Sequence, residues 1–169
     1  ARGDLAVETD VADIPLIQER LIAKARAKGI PVIVATQMLD SMERSATPTR
    51  AEATDVSQAV EQMADAVMLS GETSKGSYPI EAVAMMKHIV MKREAHIDYR
   101  ALVQLQKLPV EEISEAITIG TFLTSLHLKG VKALVIFTKS GKQARRMAQL
   151  RPSIPIIAIT PEEVTARQL

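Results

Sequence analysis

The 169-residue sequence has no cysteine and no tryptophan, and only two tyrosines and two phenylalanines. Without cysteine, neither a disulfide framework nor a thiolate metal site can form, which is compatible with the cytosol. With aromatics at 2%, the stacking platforms that hold single-stranded nucleic acid are missing. The core must therefore be built from Val, Ile, Leu, Ala and Met. There is no charge excess: Lys plus Arg number 21 against 20 Asp plus Glu, which points to no bulk polyanion and no membrane surface as partner. No apolar run reaches the length of a membrane span, and no signal-peptide pattern opens the chain. What remains is 47% apolar residues, normal for a globular protein with a real core.

The pattern along the chain is an alternation of helix and strand. A helix is predicted from Asp13, with Asp13 as cap, Pro15 in the first turn and Ile14, Ile17, Leu21, Ile22 and Ala25 on one face. Gly29 closes it. Pro31 to Ala35 reads as a central parallel strand that stops abruptly at Thr36-Gln37. Thr49-Arg50-Ala51-Glu52 has capping-box spacing and opens a second helix with Val56, Ala59, Val60 and Met63 inward. Ala66 to Leu69 is a second strand, running into a loop, Ser70-Gly71-Glu72-Thr73. Pro79 opens a third helix, with Ile80, Val83, Met86 and Val90 in register, reaching about Ile97. Arg2-Gly3-Asp4 reads as the turn after a further strand. Asp4 to Thr36 spans 32 residues and Thr36 to Glu72 spans 36. Such a near-constant unit fits consecutive β/α repeats, whose strand ends converge on one rim.

Residues 98–109 break the pattern and read as a connector. A second α/β unit is expected over 110–169. Its first helix shows Ile113, Ala116, Ile117, Gly120 and Leu123 on one face and ends at Gly130. A buried strand, Ala133 to Phe137, leads through Ser140-Gly141 into a basic helix. Pro155 to Thr160 is the next strand and Pro161 starts the last helix.

Four places can carry chemistry. Asp4, at a strand end, reads as a Mg²⁺ ligand or equally as a cap, and Gly3 lets an anion approach the backbone. Thr36 can donate a hydroxyl to a carboxylate or be satisfied by its own backbone. Ser70, Glu72 and Lys75 sit in a glycine-flanked loop that matches no Walker pattern. Thr138-Lys139-Ser140-Gly141-Lys142 joins hydroxyls, amides and ammonium groups at a helix start, a phosphate cradle or simply a solvated basic turn. Nucleic-acid binding through Lys139, Lys142, Arg145, Arg146 and Arg151 has no base-reading element to support it. His88, His96 and His127 are isolated, and Met85, Met86 and Met91 read as core or interface filler.

Taken together, Ala1-Arg2-Gly3-Asp4-Leu5, Ala35-Thr36-Gln37-Met38-Leu39-Asp40-Ser41-Met42, Pro48-Thr49-Arg50-Ala51-Glu52 and Met68-Leu69-Ser70-Gly71-Glu72-Thr73 resemble, in order, the last part of the pyruvate kinase barrel. The unit with Thr138-Lys139-Ser140-Gly141 resembles that family's C-terminal domain. The resemblance implies an α/β fold: the last three βα units of an incomplete TIM barrel over 1–97, then part of a C-terminal α/β regulatory domain. It implies a cytoplasmic glycolytic phosphotransferase acting on phosphoenolpyruvate and ADP to give pyruvate and ATP.

By the same resemblance, Asp4 binds the catalytic Mg²⁺ or Mn²⁺. The Gly3 and Asp4 amides and the Thr36 hydroxyl bind the substrate carboxylate, and Thr36 lies near the protonation route. The Ser70–Gly76 loop borders the active-site rim, with no defined catalytic role for Glu72. Thr138, Lys139, Ser140, Gly141, Lys142 and Gln143 match the loop that holds the phosphate of a sugar-phosphate activator. Ala6 departs from the family's usual Gly, and Lys142 stands at a varied position. The family's catalytic Lys and second carboxylate ligand would lie on a strand before Ala1, with the K⁺ ligands and lid domain further upstream. A chain opening on Ala at a strand-end motif is accordingly read as a piece of a longer protein, inactive alone, from an enzyme that is a homo-oligomer, a tetramer when whole. Two other classes are a sugar-phosphate-binding regulatory module and a subunit-assembly piece.

Overall fold

The computed structural model describes residues 1–99 and 112–169. Two compact units emerge, Ala1–Ile97 and Asp98–Leu169. The expected connector falls almost wholly outside the described residues.

In the first unit, strands β1 (Ile33–Val34) and β2 (Ala66–Val67) pair in parallel, Ile33 opposite Ala66 and Val34 opposite Val67. The strand is shorter than the apolar run that predicts it. Pro31 has no N–H to give to a ladder, and Thr36 and Gln37 turn left-handed at φ 69° and 53°. Ile33 is exposed and Val34 is buried, so β1 packs against the core on one face.

Helix α1 (Arg2–Glu8) replaces the expected turn at Arg2-Gly3-Asp4. Ala, Leu and Glu favour helix, and the Asp4 charge complements the positive end of the helix dipole. Helix α2 (Ile14–Ala27) starts as expected, but the cap lies earlier. Asp10 accepts from the Ala12 N–H and sets up a short 3-10 turn, Val11–Asp13, while Asp13 caps nothing with its side chain. Only Ile22 and Gln18 of α2 are buried, and Leu21 is exposed. Gly29 follows at φ 69°.

Helix α3 (Arg50–Glu61) agrees with its sequence in full. Both arms of the Thr49/Glu52 capping box are made. Val56, Ala59, Val60 and, just beyond, Met63 are all buried. A short helix, α4 (Gly71–Ser74), occupies what reads as a loop. Helix α5 (Pro79–Glu94) buries Ala82 and Met86 but leaves Ile80 and Val83 exposed, so only part of its expected stripe faces inward. The core joins Ile22, Val34, Met38, Leu39, Met42, Val56, Ala59, Ala82 and Met86.

In the second unit, β3 (Leu134–Phe137) and β4 (Ile156–Ile159) pair in parallel over four residues each. Helix α6 (Ile113–His127) is turned over relative to its predicted face. Thr118 and Phe122 are buried, whereas Ile113 and Ile117 are exposed. The helix is apolar on both sides, and periodicity alone cannot choose between them. The large ring of Phe122 decides it, joining Leu134, Met147 and Leu150 in the core. Thr118 comes along because its hydroxyl lies within hydrogen-bond distance of two acceptors, Ser114 O at 2.8 Å and Gln143 Oε1 at 2.9 Å, which share its one proton. Val135, Phe137, Ile157 and Ile159 lie on the opposite sheet face and are exposed. Helices α7 (Lys142–Gln149) and α8 (Glu163–Gln168) complete the unit.

Truncation separates these environments. Ile22→Ala and Met42→Ala, both at nearly zero exposure, should each cost about 2–5 kcal/mol. Ile80→Ala, 79% exposed, should stay within about 0.5 kcal/mol. In the absence of tryptophan, urea unfolding followed by circular dichroism reads the difference.

Candidate functional site

The C-terminal ends of β1 and β2 and the start of α1 meet in the first unit. The Gly3 N–H donates to Thr36 Oγ1 at 2.9 Å, across 33 residues of sequence. The Arg2 N–H reaches Ala35 O at 3.4 Å. Gly3, Asp4 and Thr36, singled out in the sequence, are thus brought to one place. The Thr36 hydroxyl accepts from Gly3 and retains its own proton to donate. Asp4 is exposed, in the first turn of α1. Its N–H, so near the start of a helix, has no intrahelical acceptor. A cavity of about 310 Å³ borders the same elements, lined by Asp4, Leu5, Leu21 and Ile33 among others.

Thr36 and Gln37 are consecutive non-glycine residues in left-handed conformation. For L-residues this costs roughly 1–2 kcal/mol each, and more is expected of a β-branched Thr. Three devices oppose that cost. Met38 and Leu39 are fully buried immediately after the turn. The Leu39 N–H donates to Glu72 Oε1 at 3.0 Å, and Glu72 Oε2 accepts from the Ser70 N–H at 2.7 Å. Glu72, 2% exposed, therefore ties the ends of both strands together. Finally, the Arg2 guanidinium donates to the carbonyls of Thr36 and Gln37.

Behind the turn, Asp40–Glu43 forms a 3-10 segment. Glu52 holds it, accepting from the Ser41 N–H at 2.7 Å and the Ser41 hydroxyl while also closing the capping box with Thr49. Partial burial pushes the Glu52 carboxyl up, but the hydrogen bonds from Ser41 and Thr49 together outweigh it and hold the pKa below the usual value. Lys75 pairs with Glu43 at 3.2 Å and does not enter the Thr36 cluster. Crowding demands glycine at Gly76, where a Cβ would strike the Glu72 carbonyl, whereas at Gly71 it would meet only the movable ends of the Glu43 and Lys75 side chains.

In the second unit, Thr138 to Gln143 wraps the start of α7. Gly141, at φ 77°, is the residue before the helix, and its N–H donates to Thr138 Oγ1 at 3.0 Å. Lys142 pairs with Glu112 at 2.9 Å. The Gln143 carbonyl accepts from Thr118. Lys139 and Ser140 are exposed. Several polar groups of the expected phosphate cradle are therefore already engaged within the unit. Among the described residues no three acidic, histidine or cysteine side chains are grouped as a metal would require.

Nothing in the sequence marks Arg2 and Asp55, and Glu72, a candidate in the glycine-flanked loop, instead bridges the two strand ends. The capping-box spacing did expose Glu52, though not its second grip on Ser41.

A family model for the pyruvate kinase barrel domain matches residues 1–83, and one for the pyruvate kinase alpha/beta domain matches residues 115–169. The chain belongs to the pyruvate kinase family. Among its relatives, pyruvate kinase of Sporosarcina psychrophila is 47% identical over 170 residues, covering 100% of this chain and 29% of that protein. Pyruvate kinase of Clostridium acetobutylicum is 45% identical over 100% of this chain and 36% of that protein. A crystal structure of a pyruvate kinase from Cryptosporidium parvum is similar with a TM-score of 0.88 at 40% identity, over 99% of this chain and 34% of that one. The chain thus spans about a third of the length of the pyruvate kinases it matches. No helix among the described residues is long and apolar enough to cross a membrane.

The Glu52 grip has a pH signature. Its folded-state pKa is lowered, so its contribution is fully present above the ordinary glutamate value of about 4.3 and is lost as pH falls through the folded value. Urea midpoints taken from pH 6 down to pH 3 should fall more steeply for the parent chain than for Glu52→Gln.

Proposed function

We propose that this chain carries the last three βα units of a pyruvate kinase barrel together with part of its α/β domain, and that Gly3, Asp4 and Thr36 form one side of the site that binds phosphoenolpyruvate. The observation that carries this is the 2.9 Å contact between the Gly3 N–H and Thr36 Oγ1. It joins the amide before Asp4 to the Thr36 hydroxyl at the end of β1, which supports reading the three residues as one side of a site.

In this reading the Thr36 hydroxyl and the Asp4 N–H orient the substrate carboxylate. Phosphoryl transfer to ADP is mostly positioning and charge stabilisation. Asp4 fits one ligand of a Mg²⁺ or Mn²⁺, an ion that uses few protein carboxylates and keeps water and substrate oxygens. When bound, that ion neutralises phosphoryl and enolate charge. K⁺ would be held by ligands outside this chain. Thr36, near the enolate carbon, is suited to the protonation route.

The 169 residues alone are expected to be inactive. Arg2, the cation nearest the cluster, is committed to Asp55 and to backbone carbonyls. Among the described residues no group of three metal-ligating side chains is assembled, and Asp4 alone would hold only weakly the ion that balances the enolate. Pyruvate and ATP, a sugar-phosphate activator at Thr138–Gln143 and homo-oligomeric assembly belong to the same proposal for the whole protein. The left-handed Gly141 ahead of α7 favours, as a second reading, a module that binds sugar phosphates without catalysis.

Two measurements distinguish these. Pyruvate release from phosphoenolpyruvate, ADP and Mg²⁺, coupled to lactate dehydrogenase, should stay at background; steady turnover by the purified chain would sink the inactivity claim. Calorimetric titration with Mn²⁺-phosphoenolpyruvate should give weak binding that Asp4→Ala and Thr36→Ala abolish. Binding of a bisphosphorylated sugar that survives both substitutions, with no phosphoenolpyruvate binding, would favour the module.

A further inference from the structure

Arg2 occupies an unusual place beside the cluster. Its Nη1 donates to Asp55 Oδ1 at 2.6 Å, its Nη2 donates to Thr36 O at 2.8 Å and Gln37 O at 3.3 Å, and Nη2 also contacts Met38 Sδ. The Arg2 side chain is only 15% exposed and Asp55 30%. One guanidinium therefore spans α1, both carbonyls of the left-handed pair and the middle of α3. Asp55 lies 53 residues away and is brought in by a helix whose inward face is fully packed.

We propose that Arg2, oriented by Asp55, is a positioning residue that holds the left-handed turn at Thr36–Gln37, and with it the hydroxyl that meets Gly3. The chemistry suits this task. The carbonyls of Thr36 and Gln37 lie beyond the two residue pairs of the β1–β2 ladder and need donors elsewhere. A planar guanidinium offers several N–H groups in fixed directions, so it can serve a carboxylate on one nitrogen and carbonyls on the other. A lysine ammonium is a point charge on a flexible stem and cannot reproduce that fork. The carboxylate on α3 fixes the guanidinium's orientation, and burial strengthens both sets of bonds. The positioning role rests on the reading of Thr36 given above. The conformation of the turn does not, and can be tested without substrate.

The test is NMR of the 169-residue chain. Gly3 amide hydrogen exchange and the backbone three-bond couplings of Thr36 and Gln37 report the turn, and Ala59 amide exchange in α3 reports whether the unit is folded. For Arg2→Lys, Gly3 exchange should rise about tenfold or more, as loss of a hydrogen bond to a charged group implies, and both left-handed couplings should be lost while Ala59 stays protected. Asp55→Asn keeps shape and one acceptor, and should give a smaller rise at Gly3 with the unit folded; it provides the reading if Arg2→Lys does not fold. The double variant Arg2→Asp/Asp55→Arg restores an ion pair but not donors to the carbonyls, and should fail to recover Gly3 protection. Recovery in that double variant would show a plain ion-pair brace and overturn the proposal. So would unchanged Gly3 exchange in both Arg2→Lys and Asp55→Asn. Either result would leave the phosphoenolpyruvate reading standing, because Asp4→Ala and Thr36→Ala test that separately.

Discussion

The first unit depends on a turn that its own residues disfavour. Thr36 and Gln37 stand left-handed without being glycine, at the end of a strand only two residues long. Everything around them acts to keep them there. Met38 and Leu39 are drawn fully into the core on one side. Glu72 grips the Leu39 amide from the end of the neighbouring strand. Arg2 donates to the two carbonyls just beyond the end of the ladder. Strain of this kind persists only where the surroundings over-determine it, and it concentrates at functional sites. The Thr36 hydroxyl lies at the centre of those supports.

Glu72 illustrates how a charged residue can be structural and still matter to a site. Its carboxylate is almost wholly buried, and both oxygens accept backbone N–H groups from different strand ends. Buried charge is tolerable when hydrogen bonds replace lost water. The result is a fixed spacing between two loops that sequence places more than thirty residues apart. Glu52 does the same one layer back, between the 3-10 segment and α3.

How much of this was legible beforehand follows physical lines. Local chemistry was readable: the Thr49/Glu52 capping box, Gly29 at a helix end, and the abrupt end of the Pro31–Ala35 run each report on a few neighbouring residues. The repeat spacing pointed to Asp4, Thr36 and Glu72 sharing one rim, and the structure brings the Gly3 amide to Thr36 and Glu72 to the Leu39 amide. The helix at Arg2–Glu8 was not, because three residues that look like a turn also start a helix when Ala, Leu and Glu follow. The orientation of α6 was hidden because both of its sides are apolar, and only packing against Leu134 and Met147 selects one. The roles of Arg2 and Asp55 were out of reach, since an ion pair across 53 residues leaves no local signature.

The second unit's sheet presents Val135, Phe137, Ile157 and Ile159 to solvent on one side while Leu134, Ile136 and Ile156 face the helices on the other. The consequence is thermodynamic. Apolar surface already in contact with water in the folded state adds nothing to the heat-capacity increase on unfolding, nor to the slope of stability against denaturant. This unit, taken as these residues, is therefore expected to respond less steeply to urea, and to have a flatter stability curve with temperature, than a sheet of the same size covered on both faces.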